Sequence, residues 1–312
     1  MPTMKATAIL HAGLAVVLVL SAGCGRSERN ALETGPLRVA ATTSILGDVV
    51  SIVGGPDIAL TVLLKPGQDP HAFNPTPADL ADLTRARLLF ANGLGLESFL
   101  PRLQSGPEVV EVSRTIVPRH MTEPHRHDEH DEHTASDPDP HVWFDPLNVV
   151  AWTEVIRDTL SARDPAHAAA YAARAAVYRA RLLALDGWIR EQAATLSPER
   201  RRLVCDHAVL GYFADRYGFT LSGVLVPSFS TAAEPSARDL ATLENAIRAW
   251  RIPAIFITRS VSPALAERVA ADTGTKVTAF YDGALSGPEG PARTYLNFMR
   301  HNVSIFIGAL KE

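Results

Sequence analysis

PAHAAAYAARAAVYRARLLALDGWIREQAATL, from Pro165 to Leu196, is the stretch that organises the rest of the chain. It is rich in Ala, Arg and Leu, has no glycine before Gly187, and opens on Asp164-Pro165, a cap followed by a first-turn proline. These features predict one long helix. At about 1.5 Å of rise per residue it extends on the order of 45 Å, enough to run along two lobes as a rigid spine. A helical hairpin broken at Gly187 is the other reading.

On the N-terminal side of this helix, strands are expected at Leu37 to Thr42, Ile58 to Leu64, Arg87 to Ala91 and Val109 to Val112, each a short apolar run. Helices fall between them: Ile45 to Val53, ended by Gly54-Gly55; one capped by Thr76 with Pro77 in its first turn, running to about Arg85; and Glu97 to Leu103. On the C-terminal side the pattern repeats. Strands are expected near Arg202 to Cys205, Thr220 to Val226, Ala254 to Ile257 and Lys276 to Ala279, and helices at Ser236 to Trp250, Pro263 to Ala271 and Pro291 to Leu310. Ser236 with Asp239 three residues on has the form of a capping box. Such alternation predicts an α/β fold of two lobes, each a mainly parallel four-stranded sheet flanked by helices, joined by one long rigid backbone helix. The expected domains are a first lobe at 37–163, a linking helix at 164–197 and a second lobe at 198–312.

The N-terminus has the form of an export signal: Lys5, an apolar run from Ala12 to Leu20, then Ser21-Ala22-Gly23 before Cys24. The run is too short for a retained membrane helix. A cysteine at the cleavage point resembles a lipoprotein signal, with Cys24 lipidated, although Ser21 stands where such signals usually have Leu. Plain cleavage to a soluble secreted chain is the other reading. Residues 1–24 are then the signal and 25–36 a flexible tether, placing the protein in the periplasm or on a lipid anchor. Cys205 is the only other thiol, so no internal disulfide is expected, and Cys205 reads as a buried small hydrophobe.

With 34 acidic against 30 basic residues, the global charge offers nothing to nucleic acid or an anionic membrane surface. HMTEPHRHDEHDEH, from His120 to His133, concentrates five histidines and five acids in one low-complexity insert. It reads as a disordered loop within 118–138, and either a solvated spacer or an auxiliary metal collector through His120, His125, His127, His130 and His133.

Asp-Pro-His occurs twice, ending on His71 and His141, and Asp206-His207 follows an apolar strand of the second half. Proline fixes a turn that presents the imidazole. These histidines lie too far apart in the chain for a local zinc finger, so each must come from a separate element. Open α/β sheets bind ligands outside the carboxyl ends of their strands, and facing lobes can bring such residues into one cleft. Asp282, after the last strand, suits a fourth position, or simply forms the turn before Gly283. Three imidazoles and one carboxylate make a nearly tetrahedral set suited to zinc, at about 2.0–2.2 Å. A bidentate aspartate admits Mn²⁺ as well.

DPHAFNPTPADL, DPDPHVWFDP, CDHAVLGYFADRYGF, AIFITRSVSP and TAFYDGALSGPEGPARTYLNFMRHNV resemble the successive signature segments of the zinc/manganese substrate-binding (lipo)proteins of bacterial metal ABC transporters. The resemblance covers roughly Leu37 to Leu310. It implies metal ligands at His71, His141, His207 and Asp282, one Zn²⁺ or Mn²⁺ ion as transported cargo, a monomer, and a membrane permease with its ATPase as partners. His207, where manganese members carry glutamate, and the acidic His-rich loop both lean towards zinc. Thr258-Arg259 departs from the family, many of whose members have an acid there.

Two other functions compete. A secreted zinc hydrolase needs an open coordination position and a general base, and the sequence has no His-Glu-x-x-His, Gly-x-Ser-x-Gly or Cys-x-x-Cys. A binding protein for a chelated metal or cofactor shares the architecture but does not need converging histidines. Adhesion to host or matrix is a third reading, a surface role kept only as a secondary activity.

Overall fold

Strands β1 (Leu37–Ala41), β2 (Ile58–Val62), β3 (Leu88–Ala91) and β4 (Glu108–Glu111) form one parallel sheet in the order β2-β1-β3-β4. After a long helical stretch, β5 (Arg202–Cys205), β6 (Thr220–Val224), β7 (Ala254–Thr258) and β8 (Lys276–Phe280) repeat the same arrangement as β6-β5-β7-β8. The computed structural model describes residues 35–103, 106–120, 137–231, 234–260 and 262–311. In both sheets the first strand in the chain sits inside, with its two neighbours reached in opposite directions. That reversal opens a crevice at the carboxyl ends of the central strands.

The central strands are apolar runs because helices cover both their faces; β3 and β7 are buried at every residue. The helices start where local chemistry starts them. Thr43 caps α1 (Ser44–Gly54), its hydroxyl accepting from Leu46 N at 3.2 Å. Thr76 with Asp79 and Ser236 with Asp239 form complete capping boxes on α2 (Pro77–Leu83) and α6 (Ala237–Trp250). The Ser236 box and the Thr76 cap match the expectation from sequence, and the return bond to Asp79 completes the Thr76 box. Gly218, at φ 70°, ends α5 (Gly211–Tyr217) in the left-handed conformation that favours glycine.

Three elements differ from expectation. An 18-residue helix, α3 (Pro146–Arg163), lies just before the long one. Asp145 caps it, accepting from Leu147 N at 2.8 Å, with Pro146 in its first turn. Its buried stripe of Val149, Trp152, Thr153, Ile156 and Leu160 has helical spacing. Glu97 to Leu103 is not an α-helix; it turns and keeps only a 3-10 turn at Leu100–Arg102. Glu97 points inward, its buried carboxylate accepting from Thr42 Oγ1 at 2.6 Å, Asn92 N at 2.7 Å and Gly93 N at 3.1 Å. These bonds fold the segment back onto the ends of β1 and β3. The last helix, α8 (Tyr295–Lys311), begins after Pro291, because Ser286 and Ala292 close a turn ahead of it.

The long helix α4 (Ala168–Ala194) follows a 3-10 turn at Pro165–His167 and continues unbroken through Gly187, which excludes the hairpin. Its 27 residues extend about 40 Å. Tyr171, Ala175, Tyr178, Leu182, Leu185, Ile189 and Ala193 make its buried face. That face packs on α1 and α3 of the first half and on α5 and α8 of the second. One apolar core therefore runs from β1 through α4 to Phe256, Phe280 and Phe306, with the Phe306 ring 5.0 Å from that of Phe256 and 5.2 Å from that of Phe280. Arg216 on α5 adds a polar tie, reaching Asp186 of α4 at 2.8 Å and Asp145 at 3.0 Å. Cys205 is buried in β5. Among the described residues no helix is long and apolar enough to cross a membrane.

Gly187 lies inside α4 with open space where a Cβ would stand. Gly187→Ala should therefore stabilise the fold by about 0.5–1 kcal/mol, read as a higher denaturation midpoint with unchanged slope. A loss of stability would mean that the helix needs flexibility at this point.

Candidate metal centre

His207 and Asp282 each stand two residues beyond a strand, β5 and β8, at the carboxyl edge of the second sheet. His71 lies further out, in the β2–α2 connection, and His141 precedes a 3-10 turn at Val142–Phe144 that leads into α3. Two of the four candidates thus leave strands directly, and the other two are carried by long connections. Both Asp-Pro-His segments use the same local device. The Asp carboxylate accepts from the backbone N–H of its histidine, Asp69 Oδ1 from His71 at 2.9 Å and Asp139 Oδ1 from His141 at 3.0 Å.

The three imidazoles converge. One ring nitrogen of each of His71, His141 and His207 lies within 4.8 Å of the other two. His71 Nε2 and His141 Nε2 are 3.1 Å apart, and the ring centroids are separated by 5.1, 5.2 and 5.7 Å. His141 and His207 are buried, with His71 partly so.

Carboxylates set which nitrogen faces the cluster. Asp139 Oδ1 lies 2.9 Å from His141 Nδ1, and Asp206 Oδ1 lies 2.9 Å from His207 Nδ1. A carboxylate there accepts the Nδ1–H and leaves Nε2 as a lone pair. His207 Nε2 is buried without a hydrogen-bond partner. The second oxygens are also held: Asp206 Oδ2 accepts from Thr258 N and Thr258 Oγ1, both at 2.7 Å, and Asp139 Oδ2 from Arg119 at 3.2 Å. Thr258, a departure from family pattern, thus supports the third histidine through Asp206. Arg259 instead stacks over the Tyr281 ring at 4.8 Å.

Asp282 is not in the set of mutually close ligand atoms, but it is near enough to His207 for each to act on the other's charge. Its Oδ2 is buried without a partner. Trp143 Nε1 donates to its carbonyl at 2.8 Å, and the Trp143 ring stands 5.3 Å from that of His141. Gly283, the next residue, packs so closely on Pro70 that a Cβ would meet Pro70 Cγ at 2.5 Å. The last ligand turn is therefore pressed against the first Asp-Pro-His.

Burial pulls the His71 pKa down to about 2, with His141 and His207 adding to the effect. Burial likewise lowers that of His141, against Asp139. For His207 burial also works downward, yet the bond and charge of Asp206, with Asp282 and Asp69, hold its pKa above the ordinary value. Burial raises the Asp282 carboxyl to about 6. A cation would relieve these strained charge states, since it takes the lone pairs and favours the carboxylate. A cleft of about 470 Å³ gives access at His71, walled by Leu94, Leu96, Pro138, Pro140 and Phe229.

Asp139, Asp206 and Trp143 were not singled out as site residues from sequence, and Thr258 was noted there only as a departure from the family. For the aspartates the signal was present, since both Asp-Pro-His and Asp-His carry the acid beside the histidine. His120 of the insert pairs with Pro138 in an antiparallel bridge. His125, His127, His130, His133 and Cys24 lie outside the described residues.

Two parallel sheets spanned by a spine helix carry three converging imidazoles, and the relatives of this chain are substrate-binding components of metal transporters rather than enzymes. The sequence matches the family described as zinc-uptake complex component A, periplasmic, over residues 39–309, and the chain belongs to that family. It is 32% identical to the manganese-binding lipoprotein MntA of Halalkalibacterium halodurans, over 95% of this chain and 96% of the relative. It is 28% identical to the iron-binding protein YfeA of Yersinia pestis, covering 89% and 88%. The solved structure of the periplasmic zinc-binding protein TroA from Treponema pallidum superposes with a TM-score of 0.79 at 29% identity, covering 88% of this chain and 99% of that one.

Two outcomes follow from this geometry. Protons compete with a cation for His207 and Asp282, whose pKa values are raised, and not for His71 and His141, whose values are lowered. Metal affinity should be greatest above the raised His207 value, fall as pH drops through it, and fall more steeply below about 6 as Asp282 also protonates. Affinity measured by competition with a chelator between pH 8 and 5 checks this, and a flat profile contradicts it. Gly283→Ala should push the Asp282 turn off Pro70 and weaken binding about tenfold.

Proposed function

We propose that this protein captures one divalent transition-metal ion outside the cytoplasmic membrane, zinc by preference, and delivers it to the permease of an ABC importer. His71, His141, His207 and Asp282 are the ligands. The observation that carries this reading is the meeting of three imidazoles from distant parts of the chain, two of them oriented by carboxylates on Nδ1.

The donor set favours zinc on chemical grounds. Manganese prefers oxygen and higher coordination. Here the oxygens nearby are largely committed: those of Asp139 and Asp206 to imidazoles, Arg119 and Thr258, and one of Asp69 to Thr231 at 2.6 Å. Asp282 is the carboxylate that keeps a free buried oxygen. Three nitrogens and one oxygen are a zinc complement. Filling all four positions with protein atoms also suits carriage rather than hydrolysis, which requires a bound water. In this reading residues 37–163 and 198–312 are the lobes that close on the ion, and the 164–197 helix limits how far they separate. The family resemblance supplies the partners, a permease and its ATPase, and the extracytoplasmic address.

Competitive titration of the metal-free protein with zinc and manganese tests the assignment. Zinc should bind more tightly, at one ion per chain, and His71→Ala should weaken it by more than about a hundredfold. Tighter manganese binding would overturn the preference for zinc. Unchanged affinity in His71→Ala would overturn the site.

A further inference from the structure

Asp139, which holds His141, is completely buried, and its outer oxygen is met by a guanidinium. Arg119 lies immediately before the His-rich insert, next to the isolated bridge between His120 and Pro138. Its Nη1 donates to Asp139 Oδ2 at 3.2 Å, while its Nε donates to Asp215 Oδ2 at 2.5 Å. Asp215 is on α5, the short helix that begins four residues after His207. Main-chain bonds lock the same junction: Asp139 N donates to Arg119 O at 2.7 Å, Arg119 N donates to the Tyr212 hydroxyl at 2.9 Å, and that hydroxyl donates to Asp139 O at 3.1 Å.

We infer that Arg119 is a positioning residue for metal binding, which holds the Asp139 carboxylate in place as the acceptor for His141 and, through Asp215, ties the His141 segment to the helix that follows His207. This inference rests on the metal-site reading above. Its physical basis is the cost of a buried carboxylate. One Asp139 oxygen bonds His141 Nδ1 at 2.9 Å, and with no exposure to solvent the other needs a partner inside the protein. Asp206 meets the same need with two donors from Thr258 on its own sheet. Asp139 meets it with a cation that also reaches into the second half of the chain. The bond to His141 and the placement of α5 are therefore coupled through one side chain, and the planar fork of arginine suits two carboxylates at once.

Gly211 fits this arrangement. A Cβ there would lie 1.7 Å from Arg119 Nη1 and 2.9 Å from Asp139 Oδ2, so the first residue of α5 leaves the space that the guanidinium fills. Gly211→Ala would displace Arg119 while keeping its charge in the chain.

Full-length metal-free protein titrated with zinc, followed by release of the ion to excess chelator, tests the inference, with cobalt(II) absorption reporting coordination geometry. Arg119→Gln should weaken zinc binding about ten- to hundredfold, speed release and alter the cobalt spectrum. Gly211→Ala should reproduce those changes. Arg119→Lys should recover part of the loss, since an ammonium reaches one carboxylate at a time. Arg174→Gln is the control for breaking a half-buried pair, because Arg174 of α4 bonds to Asp57 and to the Val53 and Gly54 carbonyls. It should lower stability and leave zinc affinity and the spectrum unchanged. Wild-type affinity, release rate and spectrum in folded Arg119→Gln, with His71→Ala still losing the ion, would overturn this inference alone. A wild-type protein that takes up no ion would overturn both readings.

Discussion

Bringing neutral imidazoles edge to edge in a buried place is unfavourable unless something fixes where their protons sit. In this protein the carboxylates of Asp139 and Asp206 do so, each bonded to the Nδ1 of a histidine at 2.9 Å. With their Nδ1 protons engaged, His141 and His207 turn Nε2 lone pairs inward with little solvent to satisfy them, and His71 Nε2 lies at hydrogen-bonding distance, 3.1 Å, from His141 Nε2. Such a cluster has unspent affinity for a cation. Selectivity follows from the same bonds, because an oxygen that orients an imidazole is not free to coordinate.

The frame that holds this cluster is continuous. One core runs through both sheets and the spine helix, so the segments carrying the clustered histidines share packing rather than meeting across an empty hinge. Parallel sheets leave their carboxyl ends facing the same crevice, and the chain reversal beside each central strand gives the connections room there. Long connections then carry His71 and His141 beyond what a strand end alone would reach. Polar ties cross the same junction: Thr231 to Asp69, Trp143 to the Asp282 carbonyl, and Arg216 to Asp145 and Asp186. Each links a part of the chain before the spine to a part within or after it. Together they make ligand spacing a property of the whole body.

Much of this was legible in the sequence because it is local. Capping boxes at Thr76 and Ser236 act over three residues, and the central strands read as short apolar runs because both faces are covered. The repeated Asp-Pro-His drew attention to His71 and His141 for the right reason, a turn that presents a side chain. The helix α3 was equally local, with Asp145-Pro146 opening it and a buried stripe of regular spacing, and it went unread beside the DPDPHVWFDP segment that overlaps its start. Glu97 misled because a helix-forming residue next to leucines reads as an exposed helical position, whereas three hydrogen bonds draw it inside.

By itself the sequence determined the kind of fold, the spine, the residue types able to bind a metal, and the family. All of these depend on patterns that act within a few residues or on motifs met one at a time. Tertiary structure alone decided which nitrogens meet, that Asp282 lies near His207 rather than within the tightest cluster, and that Thr258 and Arg119 serve the carboxylates behind the histidines. The reason is physical. Those relations join residues far apart in the chain, and their distances are set by how two sheets and a shared core pack, which no local propensity encodes.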